Sequence, residues 1–271
     1  MSYAPILGGT GLTAWAVLNR TMDVQRKTFD ASAEIARDTD YFEAKIGEIN
    51  TAEELVGDRR LLRVALGAFG LQDDINNKAF IRKILEGGVI DPKSLANKLS
   101  DSRYRDFSKA FGFELGTPNS KLSDFAPKIV EKFRRQSFEV AVGEQDDSLR
   151  LALNAQRSLD EIAGANSTNT TKWLKIMGNA PLRKVFETAL GLPSSFGQWD
   201  LDQQLEEFKD RADRQLGSAD ISQFTEPEAV EKLVQRYLMR TQIAEIQTAS
   251  SGSIAVSMMQ GVVDYARTLR G

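Results

Sequence analysis

Oxygen and amine groups carry whatever chemistry this chain can do, because its sequence contains no histidine and no cysteine. Imidazole acid–base catalysis, thiol nucleophiles, disulfides and the usual zinc ligand sets are thereby removed. Carboxylates remain. Asp38, Asp40 and Glu43 surround Tyr41-Phe42, and Asp73-Asp74 precede Ile75-Asn76-Asn77. Two carboxylates can work as a general acid and base when their surroundings push their pKa values apart. A carboxylate-based hydrolase or metal enzyme built on Asp38, Asp40, Asp73 and Asp74 is the enzymatic reading these residues allow. Their spacing favours local structural roles. The first group reads as a capping cluster at a helix start. The second lacks the central Gly and distal Glu of a calcium loop, and reads as an N-cap and Asx-turn for the next helix.

Other constellations are weaker. Gly8-Gly9-Thr10-Gly11 is glycine-rich, but no strand precedes it and no Lys-Ser/Thr follows, so a loop before a Thr10-capped helix is expected in place of a phosphate cradle. Asn166-Ser167-Thr168 and Asn169-Thr170-Thr171 match the glycosylation sequon, yet read as a polar linker capping the Trp173 helix. Without histidine a serine triad has no base, and Gly-x-Ser-x-Gly is absent. Phe69, Phe80, Phe107, Phe111, Phe125, Phe133 and Phe138 fall on helical faces and read as core. No catalytic residue, cofactor or metal is expected.

The elements that must position these residues are helical. Leu55, Leu61, Leu62, Ala65, Leu66 and Phe69 recur at helical intervals and predict one helix ending at Gly70. Ala79, Ile81, Ile84 and Leu85 predict a second, closed by Gly87-Gly88. Asp91-Pro92 opens a short third, with Pro at its first position. Ser102–Phe113 gives another, and Ser123–Leu159 is the longest pattern, broken near Gly143. No strand shows clear alternation, so the class is all-α, with helices packed as a bundle.

The chain also resembles itself. Gly57–Leu71 (GDRRLLRVALGAFGL) aligns without gaps on Gly178–Leu192 (GNAPLRKVFETALGL) at an offset of 121, with six identities and the Arg63/Lys184 pair in fifteen positions. Downstream, Ser123, Phe125 and the run from Val130 match Ser222, Phe224 and the run from Val230 at offsets of 99 to 100. Two related helical units follow, 38–155 and 156–250, the second shortened by about twenty residues opposite Asp91–Phe113.

Outside them lie an N-terminal helical arm, 1–37, and a C-terminal helical tail, 251–271. Leu12, Trp15, Met22 and Phe29 form an imperfect apolar seam, and Met258, Met259, Val262 and Val263 end a segment otherwise low in bulky residues. Both ends read either as helices packed on the body or as partner-binding arms that order on assembly. On the second reading those eight residues are the contact points.

Length and charge bound the function. A chain of 271 residues with 41% hydrophobic and 27% charged residues has enough apolar material for a core. A net charge of −3 and a pI near 5.3 argue against nucleic-acid binding by bulk charge and against a polybasic membrane clamp. The N-terminus is a poor secretory signal and no window approaches a membrane span, so the expected location is the cytoplasm, or export without a cleaved signal.

The stretches YFEAKIGEINTAEELVGDRRLLRVALGAFGLQDDINNKAFIRKILEGG (41–88), DPKSLANKLSDSRYRDFSKAFGF (91–113) and FEVAVGEQDDSLRLALNAQR (138–157) resemble a family of unknown function encoded among alphaproteobacterial flagellar genes. The resemblance implies a helical, flagellum-associated protein with no assigned catalytic residues. The leading expectation is a non-enzymatic structural or assembly component whose partners are other flagellar proteins. A cytoplasmic adaptor or export chaperone for flagellar subunits is the alternative.

Overall fold

The computed structural model describes the backbone of residues 3–268 and the side chains as far as Gln247. Among the described residues every regular element is helical, as the periodicity requires. In chain order the α-helices are α1 (Gly11–Asp30), α2 (Ala33–Lys45), α3 (Ala52–Gly57), α4 (Arg59–Gly67), α5 (Lys78–Gly87), α6 (Leu95–Lys98) and α7 (Ser102–Phe111). They continue with α8 (Phe125–Gly143), α9 (Asp147–Ala163), α10 (Asn169–Met177), α11 (Ala180–Leu190), α12 (Leu201–Leu216) and α13 (Pro227–Thr268). Short 3-10 turns join several of them.

Local side-chain bonds explain where the elements depart from the periodicity. The helix expected across Leu55–Phe69 is two helices. Asp58 is extended and its Oδ1 accepts the Arg60 and Leu61 N–H groups at 2.9 and 3.0 Å, capping α4 just after α3 ends. Pro92 does not open α6; Asp91 Oδ1 takes the Lys93 N–H at 2.8 Å, an Asx-turn that delays the helix to Leu95. Because α2 starts at Ala33, Asp38 and Asp40 lie inside it and cap nothing. Asp73-Asp74 sit in a 3-10 turn. Thr168 does cap α10, accepting from the Thr171 N–H.

The two matched blocks are built alike. Asp58 and its counterpart Asn179 both cap a helix start, and Asn179 accepts from the Leu182 N–H just as Asp58 does from Leu61. At the other end Gly70 and Gly191 are both left-handed, with φ of 68° and 64°. The Leu71 N–H reaches back to Leu66 O and the Leu192 N–H to Glu187 O, each at 2.9 Å. This is the six-to-one bond of a Schellman end. An arginine from a later helix then donates to each glycine carbonyl: Arg103 of α7 to Gly70 O, and Arg211 of α12 to Gly191 O at 2.8 Å. Between its matched blocks the second copy has one long helix, α12, where the first has α5, α6 and α7.

Each copy carries an aromatic cluster. Phe107 and Phe111 pack with Phe69 and Phe125 in the first; Trp173, Phe186, Phe208 and Phe224 pack in the second. One continuous apolar core joins them. Helix α9 runs through it, packed against α8 on one side and α11 and α13 on the other. The divisions expected at 37/38, 155/156 and 250/251 fall inside α2, α9 and α13. A buried ion pair ties α8 to α9, Arg157 Nε to Glu139 Oε1 at 2.7 Å. Burial alone would lower the Arg157 pKa, but the charge and hydrogen bond of Glu139 outweigh it and raise it.

Two outcomes are expected in urea denaturation. Gly70→Ala and Gly191→Ala each lose about 1–2 kcal/mol, since alanine must adopt the left-handed region, and at Gly191 the new Cβ also displaces the flexible Arg240 guanidinium. Arg157→Met leaves Glu139 charged and buried and costs about 3–5 kcal/mol, whereas the Glu139→Leu/Arg157→Met double variant is more stable than that single one.

Candidate functional site

Two of the four candidate carboxylates, Asp38 and Asp74, are engaged with structural partners, while Asp40 and Asp73 are exposed. Asp38, 7% exposed, pairs with Arg63 at 3.0 Å and Arg60 at 3.6 Å. Asp74 accepts from the Tyr104 hydroxyl at 2.6 Å and from Asn77 Nδ2 at 2.7 Å. Burial, then this bond to Asp74, pushes the Tyr104 pKa up to about 12. Among the described residues no group of three or more His, Cys, Asp or Glu side chains could hold a metal ion. The glycine-rich loop is a packing device. Gly11 has φ +54°, and a Cβ there would collide with the side chain of Gln242 on α13.

The expected contact points at the N-terminus face inward. Trp15 is 2% exposed and Phe29 is buried, while Leu12 and Met22 pack half-buried on the core. The Trp15 indole N–H donates to both carboxylate oxygens of Glu231 on α13, at 3.0 and 3.1 Å. Phe29 stands edge-on to Phe138 of α8 at 5.6 Å. Gln25 pins the preceding segment, accepting the Ile6 N–H at 2.7 Å and donating to Ile6 O at 2.9 Å. An apolar seam reports which face is covered, not what covers it; here α8 and α13 of the same chain do so. Residues 3–37 thus pack on the rest of the chain. Of the four, Met22 also borders a cleft of about 400 Å³ between α1, α8 and α9.

A different surface is left open. Val230, Leu233, Val234, Tyr237 and Leu238 bury the first turns of α13, and burial raises the Tyr237 pKa to about 12. Beyond them Met239, Ile243 and Ile246 are 51%, 48% and 68% exposed. Their spacing of four and three puts them on one face of the helix. The sequence reading passed over this row because Ala, Ser, Thr and Gln dominate the segment, although the 239–243–246 interval was there to find. Met258, Met259, Val262 and Val263 lie outside the residues whose side chains are described.

Trp15→Ala is expected to lower the unfolding free energy by about 3–5 kcal/mol, as for other large buried aromatics. Chemical denaturation of the full chain measures it, and a change below about 1 kcal/mol would restore the arm reading.

A crystal structure of a protein from Agrobacterium tumefaciens is similar to this chain, with a TM-score of 0.72 and 25% identity. The match covers 89% of this chain and 99% of that one. No curated protein matches. The family described as "Protein of unknown function (DUF1217)" matches residues 68–230, from the end of the first repeated block through the second and into α13. The match spans more than half of the chain, and the chain belongs to that family.

Proposed function

We propose that this protein is a non-enzymatic structural or assembly component associated with the bacterial flagellum, acting through protein–protein contacts. The observation that carries the contact reading is the row Met239, Ile243 and Ile246. It stands exposed on α13 just past the last turn packed in the core. Three large apolar side chains on one helical face keep an unfavourable hydration that a partner helix or groove relieves, in the manner of helix-in-groove recognition. The non-enzymatic part is supported by the engagement of Asp38 and Asp74 in ion pairs and hydrogen bonds. The flagellar setting rests on the resemblance of the 41–88, 91–113 and 138–157 stretches.

The Ile243→Ser/Ile246→Ser variant is expected to lose co-purification with flagellar proteins from motile cells. Its melting temperature should stay within about 2 °C of the parent, because both sites are exposed. Immunoblots of cytoplasm, supernatant and hook–basal bodies give the setting. Signal in the last two that vanishes in an export-null strain supports the axial or assembly role. Signal confined to the cytoplasm in both strains replaces it with the adaptor or export-chaperone role.

A further inference from the structure

A second surface has the opposite character to the chain as a whole. Between α7, α8 and α9, and bordered by α10, lies a cleft of about 700 Å³. Among the described residues, eight Lys and Arg side chains line it against three carboxylates, in a chain whose net charge is −3. Concave protein walls focus such a field and raise the local concentration of anions.

Half of these cations are already used. Arg103, Lys128, Arg135 and Arg157 are ion-paired with Asp101, Asp124, Glu131 and Glu139. Arg105, Lys109, Lys132 and Lys175 make no ion pair with a described residue, although Lys132 lies 5.3 Å over the Phe69 ring. The first two stand one turn apart on α7. One acid in the cleft, Asp106, is solvent-accessible but walled by protein. That desolvation raises its pKa even though Arg105, Lys132 and Lys175 act to lower it.

Two buried polar atoms at the cleft are unsatisfied. Asn154, 8% exposed, has no donor for its Oδ1, and Arg135 Nε has no acceptor. Leaving such atoms unpaired costs about 1–3 kcal/mol each. The wall therefore lacks a hydrogen-bond donor as well as anions. Phe69 and Ile162 add apolar surface.

We propose that this cleft binds an acidic segment of a partner polypeptide. Its carboxylates meet Arg105, Lys109, Lys132 and Lys175. A single phosphate answers the cations but is too small to span cations on three helices. A polypeptide supplies spaced carboxylates, N–H donors and aliphatic stems together. This surface is separate from the α13 row and stands or falls independently of it.

Fluorescence anisotropy with the full chain tests the assignment. The probe is a fluorescein-labelled peptide of about a dozen residues rich in Asp and Glu, beside the same peptide with Asn and Gln in their place. The acidic peptide is expected to bind, and to weaken steeply as salt rises. Arg105→Gln/Lys132→Gln should weaken it by about tenfold or more. Lys83→Gln/Lys93→Gln, outside the cleft, and Ile243→Ser/Ile246→Ser should leave it unchanged, with thermal melts confirming that each variant is folded. Equal binding of the neutral peptide, or unchanged binding by the cleft variant, overturns the proposal. It also falls if pyrophosphate or a single-stranded oligonucleotide binds in a way that Arg105→Gln/Lys132→Gln abolishes while the acidic peptide does not bind.

Discussion

Helix α9 packs against α8 from the first repeated unit and against α11 and α13 from the second, so most of its circumference must be apolar and its polar residues are confined to a narrow exposed strip. Its sequence obeys the constraint. Leu149, Ala152, Ala155 and Leu159 are fully buried, and the small alanines let neighbours approach closely. The polar groups buried at its ends and against α8 are met from outside the helix. Asp146 caps its start through the Ser148 and Leu149 N–H groups. Lys172 reaches in from α10, itself 5% exposed, and donates to Ala163 O at 2.6 Å and Ser222 Oγ at 2.8 Å. That ammonium satisfies a terminal carbonyl and complements the negative end of the helix dipole. Glu139 answers Arg157 for the same reason. Asn154 on this helix, at the cleft wall, is the exception: its Oδ1 is buried with no donor inside the chain.

The two similar blocks lie on either side of α9 in the sequence. Each has the same hardware, a capped start, a left-handed glycine and an arginine on its carbonyl. The two arginines come from helices that are not equivalent, α7 and α12. Each bonds a carbonyl that the helix itself cannot satisfy.

How much of this was legible follows from what periodicity encodes. It gave the helical class, the Gly70 end and the cap before the Trp173 helix, because these depend on residues within a few positions of one another. It missed the break at Asp58, since one aspartate caps a new helix without disturbing the apolar spacing on either side. It located the seam Leu12–Phe29 but could not identify its covering as α8 and α13, which lie more than a hundred residues away. The cationic cleft escaped for the same reason. Its lysines and arginines are scattered over some seventy positions, Arg103 to Lys175, and only the packing of four helices assembles them. A net charge of −3 gave no hint of them.

Helix α13 begins inside the core and continues to Thr268 without interruption, 42 residues in all. At 1.5 Å per residue it is roughly 63 Å long. It is therefore a shaft as well as a surface. A pull or twist applied near its far end is delivered to Leu233, Val234 and Leu238, which interlock with the core, and to the Trp15–Glu231 contact beside them. Load of that kind is resisted by many side chains in shear at once, whereas a peeled edge yields one bond at a time. The fold is mechanically anchored at the base of its longest element.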